Sequence, residues 1–101
     1  MPHAYVIVDM NISDLEGYKA YMAAAPATVK AAGGEYLVRG GKTEALEGAW
    51  MPGRMAMLRF PSYEQAKQWY DGELYRQARA KRAGTTSHFN MILTEGLAAP
   101  V

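Results

Sequence analysis

The sequence predicts an α+β fold whose elements run β-α-β-β-α-β in a single domain over residues 1–101. Three observations predict it. Two stretches with helical apolar spacing are each opened by a capping-box pattern, Ser13-Asp14-Leu15-Glu16 and Ser62-Tyr63-Glu64-Gln65. They alternate with stretches rich in β-branched, aromatic and methionine residues. Glycine pairs, Gly33-Gly34 and Gly40-Gly41, punctuate the joints where the backbone must turn.

Composition narrows the function classes. At 101 residues, 50% hydrophobic and 21% charged, the chain can bury one core. A formal net charge of +1 gives no basic stripe for nucleic acid and no footprint for an anionic membrane. There is no cysteine, which excludes disulfides, thiolate catalysis and cysteine-ligated metals. The first residues carry neither a basic segment nor a long apolar run, and no stretch approaches the roughly 20 apolar residues of a membrane span. The expected location is cytoplasmic, without signal peptide.

Taken in order, Ala4–Met10 is apolar on both parities until Asp9, as in a central strand. A helix is expected from Asp14, with Leu15, Tyr18, Met22, Ala25 and Val29 on one apolar face. Pro26 falls inside it and is expected to kink or restart it before Gly33-Gly34 ends it. Glu35–Arg39 is the second strand, with a bulge or bend at Gly40-Gly41. Simple alternation sets Glu35, Leu37 and Arg39 on one face and Tyr36 and Val38 on the other. Lys42–Glu47 is expected to continue as a more exposed strand, joined by the turn at Ala49–Gly53 to the strand Arg54–Phe60 as a hairpin. The second helix starts near Tyr63, buries Tyr63, Ala66, Trp69 and Tyr70 on one side, breaks at Asp71-Gly72 and resumes over Glu73–Arg82. Gly84 stops it, and His88–Glu95 is the last strand.

This order is the ferredoxin-like split βαβ unit, a four-stranded antiparallel sheet with helices on one face. Because the strands are apolar on both parities, the other face would expose a large patch, so a second copy is expected to cover it as a homodimer.

With these residues in place the chain resembles the domain-of-unknown-function family 1330, a branch of the dimeric α+β barrel group. The resemblance rests on Ala4–Ile7 with Asp14 and Tyr18, on Gly33 through Gly41, on Leu46-Glu47-Gly48 and Phe60-Pro61-Ser62, and on Ala66 through Tyr75 with Glu95-Gly96. The chain departs from the family's pattern at Asp71-Gly72-Glu73 and at Ser87-His88. The family has no established reaction. Its wider group is similar to cofactor-free oxygenases, isomerases, decyclising enzymes and haem-degrading proteins, so the resemblance alone assigns no chemistry.

No nucleotide, zinc-protease or nucleophile-elbow motif is present. Arg39 is the leading candidate, a permanently charged fork for a carboxylate or enolate oxygen, or else the partner of Asp14, Glu35 or a second copy. Tyr18 and Tyr75 would offer phenol hydroxyls to a ligand between helices and sheet, or simply pack there. Asp14 is a candidate base whose first-turn position also suits the helix dipole. His3 and His88 stand near the starts of the first and last strands, which are expected to lie apart, so no metal site is assigned. Trp50 would cover a pocket, its own hairpin or a neighbouring subunit. Trp69 and the methionines are expected to fill the core, and Arg76, Arg79, Lys81 and Arg82 to form a solvated helix face.

Two functions follow as expectations. One is a homodimer binding a small organic anion or aromatic molecule in a helix–sheet pocket, with any catalysis free of cofactors. The other is a non-catalytic regulatory or assembly module.

Overall fold

In the computed structural model, which describes residues 2–99 and 101, the chain runs β1 (Ala4–Ile12), α1 (Leu15–Ala31), β2 (Glu35–Arg39), β3 (Arg54–Phe60), α2 (Tyr63–Asp71), α3 (Glu73–Ala80) and β4 (Thr86–Glu95). The strands form one antiparallel sheet of order β2-β3-β1-β4, the ferredoxin-like arrangement. Alternation along β1 sends Ala4, Val6, Val8 and Met10 into the core beneath the helices. Tyr5, Ile7 and Asp9 take the helix-free face. Among the described residues no helix is long and apolar enough to cross a membrane.

Local chemistry sets the helix ends. Asp14, not Ser13, caps α1 and accepts from the Gly17 amide at 3.0 Å. Ser62 caps α2 and accepts from the Gln65 amide at 3.1 Å. Gly33, at φ +81, lets the chain leave α1 by the left-handed region. The apolar face of α1 is shifted from the expected one. Tyr18, Ala25 and Val29 are buried, joined by Tyr21 and Thr28, while Leu15 is exposed.

Pro26 does not restart α1, which is continuous from Leu15 to Ala31. Proline lacks the amide that would bond the carbonyl four residues back, here Met22. Arg39 Nη2 donates to that oxygen at 3.0 Å. A side chain from the sheet replaces the missing helical bond.

Three expectations about the strands are corrected. Lys42–Glu47 forms no strand; Gly40–Met51 is exposed loop. Both edges of β3 are already paired, with β2 and with β1, so a further strand cannot form the expected hairpin with it. The bend expected at Gly40-Gly41 is present at Gly40, at φ +73, but the register irregularity of β2 lies earlier, at Leu37, between the Tyr36–Leu58 and Val38–Met57 pairs. That extra residue inverts the alternation, so Arg39 and Tyr36 share the helix-facing side, with the guanidinium 5.1 Å from the ring centre. Finally, β1 and β4 are neighbours, and His88 stands opposite Asn11. His3 and His88 are separated because they lie at opposite ends of these paired strands.

The basic stretch after Gly72 is also less solvated than expected. Arg79 stacks on Tyr70 at 4.4 Å, and Arg82 covers Phe89 at 3.6 Å and Tyr21 at 5.4 Å.

Candidate functional site

A small cleft opens between α1 and the sheet, at the end where Arg54, Met10 and Phe89 stand side by side on β3, β1 and β4. Helix α1 brings Tyr18, Tyr21 and Met22 to one side of it. The sheet brings Met10, Tyr36, Arg39 and Arg54 to the other. Its free volume is about 40 Å³. At roughly 10–15 Å³ per water, that holds about three waters or the head group of a small acid.

The polar groups of this cleft are unusual in their partners. Tyr18 is 3% exposed, and its hydroxyl donates to Met10 Sδ at 2.9 Å. A thioether is a weak acceptor, so this phenol is held by a bond that any carboxylate oxygen would outcompete. Burial pushes the Tyr18 phenol up to about 12, against the pull of the Arg82 and Arg54 charges. It therefore stays a hydrogen-bond donor throughout the neutral range. Burial also raises Tyr36 and, most of all, Tyr21, whose hydroxyl shares a 2.7 Å hydrogen bond with Tyr75.

Among the described residues the charged groups lining the cleft are Arg39 and Arg54. The ion pairs among the described residues are Lys19–Glu16, Arg59–Glu35, Lys67–Asp71 and His88–Asp9, so neither arginine has a carboxylate partner. Arg54 lies flat across Gly40, where a Cβ would come within 2.6 Å of its Cζ. Gly40, at φ +73, thus allows both the chain's turn and the arginine's position. Arg82 adds a third guanidinium near Tyr18, and its Nε is buried without a hydrogen-bond partner.

The expected site residues divide. Arg39 and Tyr18 meet in the cleft. Tyr75 is fully buried behind it, packed on Trp69 at 4.1 Å and bonded to Tyr21, and does not line it. Asp14 is exposed at the start of α1, engaged as its cap, and is not part of the cleft. Trp69 fills the core as expected, with its indole N–H donated to Thr28 Oγ1 at 3.0 Å.

Arg54, Arg82 and Asp9 were not among the expected residues. Asp9 lies on the opposite face of the sheet, 8% exposed, and accepts from the Gly53 amide at 2.7 Å and from Trp50 Nε1 at 3.1 Å. His88 Nε2 is 3.2 Å from the same carboxylate. The Gly53 and Trp50 bonds, with a smaller contribution from His88, hold Asp9 below the usual carboxylate range. Its signal in the sequence was a lone carboxylate inside an otherwise apolar strand. Among the described residues no three His, Cys, Asp or Glu side chains gather as a metal site.

Comparison with known proteins agrees with this fold. A family model described as a domain of unknown function, DUF1330, matches residues 3–97. No relative is found among curated proteins. Among solved structures, a protein of unknown function from Rhodopseudomonas palustris superposes with a TM-score of 0.77 at 15% identity, over 97% of this chain and 85% of its own. A dimeric ferredoxin-like protein of unknown function from Bacteroides fragilis gives 0.57 at 12% identity, covering 93% and 96%. A proposed antibiotic biosynthesis monooxygenase from Caulobacter crescentus gives 0.63 at 16% identity, covering 95% and 91%.

Proposed function

The chain belongs to the DUF1330 family, and we propose that it is a homodimer that binds a small organic anion in the cleft between α1 and the sheet. One observation carries this reading. Among the described residues the cleft's charged groups are two guanidiniums without carboxylate partners, and its buried phenol is bonded to a thioether. A carboxylate head would satisfy all three donors at once. The narrow free volume favours an acid head over a whole aromatic ring, whose remaining body would rest at the mouth beside Tyr36. Any turnover in this cleft would be cofactor-free, with Arg39 and Arg54 stabilising developing negative charge and Tyr18 donating a proton or hydrogen bond. The homodimer is supported by the dimeric ferredoxin-like protein it superposes on and by the apolar helix-free face.

A second reading, a non-catalytic regulatory or assembly module, is favoured by the Arg39–Met22 bond, which gives that arginine a structural task. A thermal-shift screen against small carboxylates, phenols, quinones and haem separates the two. The anion reading expects carboxylates to raise the melting temperature, with the shift lost in Arg54→Ala. A flat response to carboxylates, or a shift that survives Arg54→Ala and Tyr18→Phe alike, selects the module.

A further inference from the structure

After Gly40, residues 41–53 run to the start of β3 without helix or strand, and they deliver Arg54 to the cleft. Two hydrogen bonds tie this loop to the sheet, and both end on one side chain. The Trp50 indole donates to Asp9 Oδ2 at 3.1 Å, and the Gly53 amide donates to Asp9 Oδ1 at 2.7 Å. Among the described residues no other hydrogen bond holds residues 41–53 to another part of the chain.

Gly53 lies so close to the central strand that a Cβ there would run into the Met10 carbonyl oxygen. Arg54 follows at once, opposite Met10. Asp9 and Met10 are consecutive in β1, so their side chains point to opposite faces of the sheet. The Asp9 carboxylate therefore sits behind the cleft, next to the residue whose sulfur holds the Tyr18 phenol. An ionised acceptor bonds more firmly than a neutral one, and this one is buried, with His88 Nε2 3.2 Å from Oδ1. On the cleft side Arg54 is exposed and meets no carboxylate among the described residues. Its placement depends on where β3 begins.

We propose that Asp9 is the positioning residue of the anion cleft: from the helix-free face it fixes, through Trp50 and Gly53, where β3 begins and so where the Arg54 guanidinium stands. Arg39 needs no such support, because the Met22 carbonyl already holds it. The inference rests on the anion reading of the cleft and adds to it a residue that never touches the ligand. A binding group aimed by a buried partner keeps its geometry before the ligand arrives, which lowers the cost of ordering it.

Asp9→Asn keeps the shape of the side chain but leaves a single acceptor oxygen for the two loop donors. Nuclear magnetic resonance of the full chain at neutral pH, read at the arginine Nε–H groups, and a benzoate titration test the inference. In the free wild type, the heteronuclear Overhauser effect is expected to show Arg54 more ordered than Arg76. Asp9→Asn is expected to lower that order at Arg54, leave Arg39 unchanged and weaken benzoate binding by about fivefold. Equal loss at Arg39 and Arg54 would mean that Asp9 supports the fold in general, and the inference fails. It fails also if Arg54 keeps its order, or if wild-type Arg54 is as mobile as Arg76. Should Asp9→Asn not fold, Trp50→Phe, which removes the indole donor from an exposed ring, decides by the same readouts. A loss confined to Arg54 supports the inference, and wild-type values contradict it. A wild type that binds no benzoate removes the anion reading, while the order of Arg54 in the free protein still reports on Asp9.

Discussion

Arg39 donates a hydrogen bond to the carbonyl oxygen of Met22, the acceptor that Pro26 leaves without its helical amide. Proline in the helix and arginine in the strand are therefore one device. It keeps α1 continuous beside the cleft and fixes the guanidinium at the cleft's edge. Replacing Pro26 by Ala restores the amide and removes the ring, which is expected to raise stability by roughly 1–3 kcal/mol. Arg39→Ala should cost about 1 kcal/mol in the wild type and less in the Pro26→Ala background. Urea denaturation of the four proteins measures this coupling.

The two hydroxyls of α1 should behave differently. Tyr18→Phe removes a phenol bonded only to sulfur and is expected to change stability by less than about 1 kcal/mol. Tyr21→Phe leaves the Tyr75 hydroxyl buried without its partner and should cost about 1–3 kcal/mol. The same pair read for ligand affinity should reverse in order, because only Tyr18 offers its hydroxyl to the cleft.

Gly40→Ala combines two penalties. The residue sits at φ +73, and the new methyl would meet the Arg54 guanidinium. Backbone strain of about 1–2 kcal/mol is expected. Carboxylate binding should fall by more than that strain explains, since Arg54 must move. Calorimetric unfolding and a ligand titration on one preparation report both.

Acid should weaken the fold through Asp9. Its carboxyl titrates below the ordinary 3.8 in the folded chain, so the unfolded chain takes up its proton first as pH falls. The stabilisation is complete above the ordinary value and is lost as pH drops through the lowered one. Asp9→Asn should flatten the acid limb of a stability profile recorded from pH 6 downward. An unchanged limb would mean that other carboxylates govern acid unfolding.

What was legible in the sequence was local. The caps, the glycine stops and the apolar periods of β1, α1 and α2 depend on neighbouring residues, and they led to the element order and the ferredoxin-like fold. What was not legible depended on pairing at a distance. The inserted residue at Leu37 shows only against β3, and it decides that Arg39 faces the helices beside Tyr36. The loop after Gly40 reads as a strand until β3 is seen to have no free edge. Asp9 finds Trp50 and Gly53 more than forty residues away and His88 almost at the other end of the chain. Arg54 and Arg82 carry no local mark that separates them from ordinary surface cations. Of the site, Arg39 and Tyr18 could be named in advance because glycine context and helical spacing single them out. Tyr75 shared that spacing, but the Tyr21 hydroxyl and the Trp69 ring enclose it.

Anion binding in the cleft is tested most directly by nuclear magnetic resonance of the arginine side chains during titration with benzoate. Saturable shifts of the Arg39 and Arg54 Nε–H signals, with a coincident change at Tyr18 and none at Arg76, are the expected result. Shifts that grow linearly and equally at all arginines would mean that the cleft binds no anion and that its guanidiniums serve the fold alone.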